Sequence, residues 1–595
     1  MRPAALRILA VLSVSLIGSA APARAVPSGG PQAQALMDAD FQSGRMDRET
    51  HLLESFRYVF APERMDARYA PAEYTPIKCL TPRIQEYYAH RDELTASARA
   101  ELDAYLTPER GRMLATYVSP SGLFEFTYLT SGGNAVSSTD TNPANGIPDY
   151  VERCAEYMDL SWATEITAIG FTAPTLPGDG TYDVSFQSMG AYGFTTISGS
   201  TTEIVIHNTF AGFPNNSDPD GNVLGAAKVT CAHEFKHASN FTNNGWSGYE
   251  ELDATWAEDI VFPATNDYWN YTNNNGPNIL GQPWTPLDSG GAGSYEDCLW
   301  EHYLSNEHGN ALIVEVYNEL ALGFNQNKSY SNAQITFGTS WEESYPGFLE
   351  YAWFTGSRAE PPFGFPDAVS LKRMNFRSGA TSTYPASVSD AVDHLSGHPR
   401  RYNPGAATGS PRIQFDGLDS HPAGQFAVSV IMEEPDGTFT IVRPALDANN
   451  DVDYVAPMAF QDLLYVGVIV TNSKRTGSTV AYTLDVLDEP LSTDVTLSGQ
   501  GDFGRLTMEA NSPNPFVNRT NVRFHAPRDE HATVRILDVQ GRVVRTLIDG
   551  AVRAGANELF WDGRDEAGRP LATGVYWARV QAGETSVARK VTLLR

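Results

Sequence analysis

Residues 226–241 read Ala-Ala-Lys-Val-Thr-Cys-Ala-His-Glu-Phe-Lys-His-Ala-Ser-Asn-Phe, and the stretch from His233 to His237 decides how the central domain is interpreted. Its apolar residues have helical spacing. On a helix, positions i and i+4 lie on one face, so His233 and His237 can point at one metal ion. Glu234 lies beside that face, where a carboxylate can hold an attacking water and take its proton. The pattern predicts a catalytic zinc; the alternative is two surface histidines on an ordinary helix.

A catalytic zinc needs a third protein ligand and one open position. The next predicted helix, 250–259, supplies two carboxylates on one face, Glu251 and Glu258. Seven residues of helix separate them by roughly 10 Å, so both cannot bind the same ion. Glu251 is the predicted ligand because it lies near the start of its helix, close to the turn after His237. Glu258 is then a supporting or a surface group.

These residues resemble a family of secreted bacterial zinc metalloproteases of the gluzincin type, in which an HExxH helix and a later glutamate bind zinc. The likeness covers about residues 75 to 490. Besides His-Glu-Phe-x-His and Glu251-x-x-Ala254-Thr255-Trp256-x-Glu258-Asp259, it extends to Lys78-Cys79-x-Thr81-Pro82, Asn145-Gly146-Ile147-Pro148-Asp149-Tyr150-Val151-Glu152 and Phe348-x-x-Tyr351-Ala352-Trp353. The resemblance implies a zincin-like α+β domain with His233, His237 and Glu251 as zinc ligands and Glu234 as general base, acting on a protein or peptide substrate.

Peptide hydrolysis also needs a hydrogen-bond donor for the developing oxyanion. Nothing in the sequence ranks the candidates, each of which could equally be a packed aromatic or a surface group. They are Tyr249, Tyr268, Tyr271, His302 and Tyr303.

Four cysteines allow two disulfides in three connectivities if the chain enters an oxidising compartment. Cys231 is two residues before His233, about 200° round the helix, and so is not a ligand. We predict one disulfide between Cys231 and Cys298 and another between Cys79 and Cys154. The alternative is buried free thiols.

The segment 140–149 gathers oxygen-bearing side chains around a glycine. Asp140, Asn142, Asn145 and Asp149 resemble the ligands of a calcium loop, although one extra residue before Asn145 breaks the usual spacing. The equally weighted alternative is a helix start, with Asp149 as N-cap and Glu152 three residues later completing a capping box.

The N-terminus has the layout of a cleaved export signal: Arg2 and Arg7, an apolar run over 8–17, and Ala23-Arg24-Ala25 before Val26. The run is shorter than the roughly 20 residues that a membrane anchor needs. No later segment is long and apolar enough for a membrane helix, so we expect a secreted or cell-surface protein.

The predicted strands and helices divide the chain into domains. Strands are predicted at 182–186 and 202–206, and helices at 92–106, 223–241 and 299–320. The predicted order is a signal peptide (1–25), a helical N-terminal region or pro-segment (26–110), a zincin-like catalytic domain (111–385), a β-sandwich (386–490), a linker (491–510) and an Ig-like β-sandwich (511–595).

The balance of charged residues also distinguishes the C-terminal module from the rest of the chain. The chain carries a net charge of −29, which disfavours nucleic acid as a partner, yet residues 501–595 hold 14 basic and 11 acidic side chains. The runs 512–516, 561–565, 574–576 and 590–594 resemble the Ig-like C-terminal sorting domains of exported bacterial proteins, which are similar to the Ig-like module of flagellar hook-capping proteins. The resemblance implies recognition by an outer-membrane secretion machine of the type IX kind; the alternative is a plain structural or adhesive Ig-like domain.

The main hypothesis is therefore a secreted zinc-dependent endopeptidase, with calcium as a second candidate cofactor. Its rival is an extracellular surface binding or adhesion protein in which the zinc is structural or vestigial. A third hypothesis is a zinc hydrolase acting on a non-peptide bond. An open coordination position separates the first hypothesis from the second, because a structural zinc is closed by four protein ligands.

Overall fold

The structure of the protein is a computed structural model. It describes residues 32–594 apart from 72, 108–114, 247–249, 290–293, 362, 438, 491–505, 510, 512, 517–518, 527, 539–541, 567 and 583–584. The chain divides into two compact units at the boundary between Pro490 and Leu491. The predicted signal peptide and most of the predicted linker lie outside the described residues.

The N-terminal region is helical, as its sequence predicts, but it also contributes a strand to the central sheet. Its elements are α1 (Gln32–Gln42), α2 (Arg48–Phe60), β1 (Ile77–Cys79), α3 (Thr81–His90) and α4 (Ala96–Leu106). Thr95 accepts a hydrogen bond from the Ala98 amide, so α4 begins later than the predicted residue 92. Leu52, Phe56 and Leu102 pack in one core with Phe194 of the sheet.

A six-stranded sheet forms the centre of the first unit. It contains β1, β2 (Ala115–Val118), β3 (Phe124–Tyr128), β4 (Tyr182–Gln187), β5 (Ala191–Ser198) and β6 (Thr201–His207), in the order β1-β5-β6-β4-β3-β2. The pairs β1–β5, β3–β4 and β4–β6 are parallel, whereas β5–β6 and β2–β3 are antiparallel. The strands predicted at 182–186 and 202–206 are confirmed as β4 and β6.

Helices cover both faces of this sheet, because alternate residues of a strand face opposite sides. Ile204 and Ile206 of β6 face a core shared with α5 (Asp149–Ser161) and α6 (Asn222–Asn244), while Val205 faces the N-terminal helices. The helix predicted over 223–241 is thus confirmed as α6. It ends at Gly245, whose φ of 65° is the left-handed conformation that closes many helices.

A helical layer follows α6. Its members are α7 (Glu250–Val261), α8 (Trp269–Thr272), α9 (Leu299–His308), α10 (Asn310–Ala321), α11 (Gln326–Thr336) and α12 (Trp341–Trp353). The single helix predicted over 299–320 is wrong: Gly309, at φ 85°, separates α9 from α10. The helical spacing of apolar residues continues across this glycine, so the spacing alone does not indicate the break.

The predicted sandwich at 386–490 consists of two four-stranded sheets around one core. The strands are β7 (Ala386–Val392), β8 (Ser396–Tyr402), β9 (Ser410–Gly417), β10 (Phe426–Glu433), β11 (Phe439–Val442), β12 (Asp451–Val455), β13 (Tyr465–Asn472) and β14 (Val480–Glu489), in the orders β11-β10-β13-β8 and β12-β9-β14-β7. The outer face of β13 is not free, because Gly467 lies against the ring of Trp353 and Ile469 enters the helical core. The sandwich and the helical layer therefore share buried surface.

The described part of the second unit is all β. It contains β15 (Thr507–Met508), β16 (Thr520–Ala526), β17 (Glu530–Leu537), β18 (Val543–Val552), β19 (Gly555–Trp561), β20 (Gly574–Ala582) and β21 (Thr585–Leu593), in two sheets ordered β15-β16-β19 and β18-β17-β20-β21. Trp561, Phe516 and Val534 are buried in its core. Across both units, the part of the chain that is described contains no helix long and apolar enough to cross a membrane.

Candidate metal centre

Three of the predicted ligands converge between α6 and α7. Glu251 Oε2 lies 3.2 Å from His233 Nε2, and Glu251 Oε1 lies 3.1 Å from His237 Nε2. The two imidazole rings are 4.8 Å apart between centroids. All three side chains are at most 1% exposed. The i, i+4 spacing on α6 and the start of α7 therefore bring both histidines and one carboxylate to one point.

A fourth donor comes from the N-terminal region, and sequence reasoning did not find it. Cys79, the last residue of β1, places its Sγ 3.5 Å from His237 Nε2. The donor atoms of Cys79, His233, His237 and Glu251 all lie within 4.8 Å of one another. Cys79 lies in the run Lys78-Cys79-x-Thr81-Pro82, which carries the family resemblance, but the cysteine count predicts a disulfide for it instead of a metal bond.

Both predicted disulfides are wrong, since all four cysteines are free and buried. Cys79 belongs to the histidine cluster. Cys231 faces α5, where its Sγ lies 3.8 Å from the carbonyl oxygen of Cys154, whereas Cys298 lies in the separate core of the helical layer. Burial raises the pKa of the Cys231 and Cys298 thiols. Packing of α5 on α6 thus decides the neighbour of Cys231, and nothing in the cysteine count reveals that packing.

The donor set fits a zinc ion. One sulfur, two imidazole nitrogens and one carboxylate are ligands that zinc accepts, and in a tetrahedral site with bonds of about 2.0–2.3 Å neighbouring ligand atoms lie roughly 3.3–3.8 Å apart. The distances of 3.1, 3.2 and 3.5 Å fall close to that range. Glu251 Oε1 is buried and accepts no well-aligned hydrogen bond among the described residues, although His237 Nε2 lies 3.1 Å away. A buried oxygen without a donor is stabilised when a cation binds it.

The electrostatics of the cluster also favour a cation. Burial alone would lower the pKa of His233, but hydrogen bonds to Glu251 and Glu258 outweigh it and raise that pKa to about 10. Burial alone would raise the pKa of Glu251, but the nearby charges of His237 and His233 and the hydrogen bond with His233 lower it to about 2. The carboxylates around His233 therefore stabilise positive charge at this point.

Glu234 has one oxygen held and one oxygen free. Its Oε2 accepts hydrogen bonds from Thr195 Oγ1 at 2.9 Å and from Thr81 Oγ1 at 3.2 Å. Within the described part of the chain, Oε1 has no hydrogen-bond partner. The two threonines fix the carboxylate and leave Oε1 available to accept a proton.

Glu258 supports a histidine rather than lying at the surface, which decides between its two predicted roles. Its Oε1 lies 2.7 Å from His233 Nδ1, and its Oε2 lies 2.9 Å from Lys78 Nζ. A carboxylate at Nδ1 fixes the ring orientation and tautomer that direct Nε2 into the cluster. Lys78 in turn is buried beside Asp267, with 2.5 Å between Nζ and Oδ2.

Replacing Glu258 with glutamine should weaken metal binding without removing a ligand. We expect the zinc dissociation constant to rise about 10–100-fold, as when other carboxylate partners of metal-binding histidines are lost. Competition against a zinc-binding dye measures this. Asp259→Asn is the matched control: burial, and then the charges of Asp367 and Glu258, raise the pKa of Asp259 to about 8, so its side chain is largely neutral already. Equal zinc affinity in both variants would contradict a positioning role for Glu258.

The structure shows how each candidate oxyanion donor lies relative to the histidine cluster. Tyr268 donates to Asp367 and packs on His302, and Tyr303 stacks on Trp300, so none of the three contacts the cluster. Tyr271 packs on the ring of Tyr295 at 5.3 Å. Tyr249 lies outside the described residues.

Tyr295, which the sequence did not single out, lies beside the cluster. Its ring centroid is 6.2 Å from that of His233, and its hydroxyl donates to the Cys79 carbonyl oxygen at 3.5 Å. Burial, followed by the charges of Glu251 and Cys79, raises the pKa of its hydroxyl. No local motif surrounds Tyr295, so only the folded arrangement reveals it.

The predicted calcium loop is held by hydrogen bonds to its own backbone. Asp140 accepts from the amides of Asn145 and Gly146, and Asp149 accepts from the amides of Thr141 and Asn142. The capping-box interpretation is wrong, since α5 begins at Asp149 after Pro148, with no side-chain cap. The Asp149 side chain caps the preceding loop instead. Calcium binding by Asp140, Asn142, Asn145 and Asp149 stays a prediction.

Comparison with known proteins identifies the C-terminal unit. Residues 516–586 match the FlgD Ig-like domain family. This confirms the predicted Ig-like module. No curated protein matches the chain.

Solved structures give distant likenesses. PorZ, a bacterial surface component of the type-IX secretion system of Porphyromonas gingivalis, is 16% identical over 21% of this chain and 15% of its own, with a TM-score of 0.13. Dimeric latent PorU from the same organism is 15% identical over 37% of this chain and 19% of its own, with a TM-score of 0.16. The adhesin domain of Epf from Streptococcus pyogenes is 7% identical over 36% of this chain and 73% of its own, with a TM-score of 0.12. The chain thus spans less than a fifth of PorZ and PorU.

Proposed function

We propose that the protein is a secreted zinc-dependent endopeptidase. The observation that carries the proposal is the convergence of His233 Nε2, His237 Nε2 and the Glu251 carboxylate at one buried point. Glu234 adjoins this point with Oε1 unpaired within the described structure. Three protein ligands and an adjacent carboxylate are the groups that metal-assisted hydrolysis requires.

In this proposal His233, His237 and Glu251 hold the zinc. When bound, the zinc supplies Lewis-acid chemistry, polarising the scissile carbonyl and lowering the pKa of the attacking water. Glu234 Oε1 takes the proton of that water and later passes it to the leaving amine nitrogen. Thr81 and Thr195 keep the carboxylate oriented during both transfers, because their hydrogen bonds go to the other oxygen. Tyr295 is the hydroxyl donor best placed to stabilise the developing oxyanion.

Metal removal tests this function directly. The purified protein should contain one zinc per chain, measured by elemental analysis, and digestion of an unfolded protein substrate should stop when a chelator removes it. Readdition of zinc should restore digestion. The assay is run on the wild-type protein and on a Cys79→Ser variant, which lacks the sulfur of the fourth donor. Digestion that persists at full rate after the zinc has gone would contradict the proposal.

The second candidate function is an extracellular surface binding or adhesion protein with a structural zinc. The observation that favours it is the fourth donor, because Cys79, His233, His237 and Glu251 make the closed set typical of structural sites. Loss of fold together with loss of zinc, and no digestion by any variant, would support this function. A zinc hydrolase of a non-peptide bond is tested by the same assay with an ester substrate.

The C-terminal unit suggests how the chain is delivered. We propose that it is exported to the extracellular space or the cell surface and that the Ig-like unit is recognised by an outer-membrane secretion machine. The match of 516–586 to the FlgD Ig-like family supports the domain type. The sorting role rests on the resemblance of the motifs between 512 and 594 to those of exported bacterial proteins.

A further inference from the structure

Cys79 adds a fourth donor to the cluster, where a catalytic zinc would keep one position open. A catalytic site has three protein ligands and leaves the fourth position to water or substrate. Here the fourth donor atom is Cys79 Sγ, within 4.8 Å of the other three. Cys79 is 4% exposed, and the three other ligands are at most 1% exposed. A protein substrate cannot reach the cluster while this arrangement persists.

The strand that carries Cys79 also covers the sheet edge nearest to Glu234. β1 is the edge strand of the sheet and pairs with β5, with Ile77 opposite Ala191 and Cys79 opposite Gly193. β5 runs directly past the catalytic carboxylate: a Cβ built on Gly193 would lie 3.0 Å from Glu234 Cγ. An extended peptide binds a protein by adding a strand to an unpaired sheet edge. β1 occupies the edge that such a peptide would use.

Residues on either side of Cys79 hold it in place. Lys78 pairs with Glu258, the partner of His233, at 2.9 Å, and Thr81 Oγ1 donates to Glu234 Oε2 at 3.2 Å. Lys78 Nζ also lies 4.5 Å from the ring centroid of Tyr192. The segment from Lys78 to Thr81 therefore contacts the ligands, the supporting carboxylate and the proposed base at once.

A purely structural zinc does not account for Glu234. A buried carboxylate oxygen without a hydrogen-bond partner is costly, and a closed four-ligand site has no use for an adjacent base. Glu234 Oε1 is such an oxygen within the part of the chain that is described. The combination of a base and a closed site indicates a catalytic centre in a blocked state.

We propose that β1 is a built-in inhibitor and that Cys79 is a thiolate latch on the zinc, so that the chain as folded is a latent enzyme. This inference rests on the proposed peptidase function. On activation the bond between the Cys79 sulfur and the zinc would break and the released thiolate would take a proton from solvent water, while β1 leaves the edge of β5. Both the fourth coordination position and the strand-pairing edge then become available to a polypeptide substrate.

The first test asks whether Cys79 binds the metal, without using activity. The full-length protein is loaded with Co²⁺, and a thiolate-to-cobalt charge-transfer band is sought in the near ultraviolet. We expect the band in the wild-type protein and in the control Cys154→Ala, and its absence in Cys79→Ser, with one metal per chain in all three. A wild-type protein that binds cobalt without the band overturns the latch.

The second test asks whether the latch inhibits. A latch that is closed in about nine molecules out of ten lowers the rate of digestion about tenfold. Cys79→Ser should therefore digest an unfolded protein at least about tenfold faster than the wild-type protein. A mercurial reagent that binds the Cys79 sulfur should activate the wild-type protein similarly, which provides a measurement that does not depend on how the variant folds. Addition of Glu234→Gln to Cys79→Ser should return the rate to background.

The outcomes separate the latch from the peptidase. If wild type and Cys79→Ser digest at the same rate and Glu234→Gln abolishes both, the latch is wrong and the peptidase stands. If the cobalt band is present but neither Cys79→Ser nor the mercurial treatment produces digestion, the peptidase is wrong and the latch as an inhibitor falls with it. If Cys79→Ser loses its metal and its circular-dichroism spectrum collapses while the mercurial unfolds the wild type, Cys79 is a structural ligand and the latch is wrong.

Discussion

Replacing Glu234 with glutamine should reduce protein digestion by about 10²–10⁴-fold, the usual contribution of a general base, while zinc content stays unchanged. The comparison is made in the Cys79→Ser background, where the rate is expected to be high enough to measure. Glutamine keeps the shape of the side chain and can still bond Thr195 and Thr81, which hold Oε2 in the native protein. Only the ability to take a proton at the free oxygen is lost.

Glu301→Gln is the matched control for that variant. Glu301 is fully buried on α9, where its Oε1 accepts a hydrogen bond from Tyr330 at 2.7 Å. Burial, and then the charge of Asp253, raises the pKa of Glu301 to about 8, so near neutral pH it is already largely protonated. We expect this substitution to leave digestion and zinc content unchanged. Full activity of Glu234→Gln, measured with zinc bound, would show that Glu234 is not the base.

Local periodicity was sufficient to predict one half of the candidate site. A helix places residues four apart on one face, so the pairing of His233 with His237 follows from the sequence alone. Glu251 could also be selected, because a short turn after α6 limits which carboxylates can return to the histidines. These inferences depend on contacts between neighbouring elements along the chain.

The other half of the site depends on contacts between distant segments. Cys79 and His237 are 158 residues apart, and they meet because β1 inserts beside β5 at the sheet edge. A single short strand has no pattern that identifies its partner, so the sequence could not place Cys79. Tyr295 was missed for the same reason. The disulfide prediction failed because it relied on cysteine number and chain order, whereas the neighbours of Cys231 are set by the packing of α5 on α6.

If the chain is exported as proposed, the free thiol of Cys79 has a consistent explanation. An oxidising compartment favours disulfides. Binding to zinc lowers the reactivity of a thiolate, because the metal shares one of its lone pairs and withdraws charge from the sulfur. The same latch that blocks catalysis would therefore protect Cys79 from oxidation during export.

Lys236, the fourth residue of the His-Glu-Phe-Lys-His stretch, should matter for stability rather than for chemistry. It is fully buried on α6, about 60° round the helix from His233, where it pairs with Asp253 of α7. It also donates to Asn240 Oδ1 at 2.5 Å, and its ammonium lies 4.0 Å from the ring centroids of Phe171 and Tyr317. This pair joins α7 to α6 two residues beyond Glu251.

Lys236→Met should lower the free energy of unfolding of the first unit by about 3–5 kcal/mol, because it leaves the buried Asp253 carboxylate without its cation. Chemical denaturation monitored by tryptophan fluorescence measures this loss. Lys228→Met is the control: it lies on the same helix and pairs with Asp218 and Asp220, but its side chain is 12% exposed. Solvent compensates part of that lost pair, so a smaller destabilisation is expected.

The double variant Lys236→Met, Asp253→Leu shows whether stability depends on the ion pair itself or only on leaving no unpaired charge in the core. Replacing both members of a buried ion pair by apolar residues is often nearly neutral, whereas removing one member is not. We therefore expect the double variant to regain most of the lost stability. The zinc affinity of the double variant is measured in parallel, because Glu251 lies two residues before Asp253 on α7. A looser contact between α6 and α7 would weaken zinc binding by Glu251 even when the unit folds. A double variant as unstable as Lys236→Met would show that Lys236 acts through its packing on Phe171 and Tyr317 and not through Asp253.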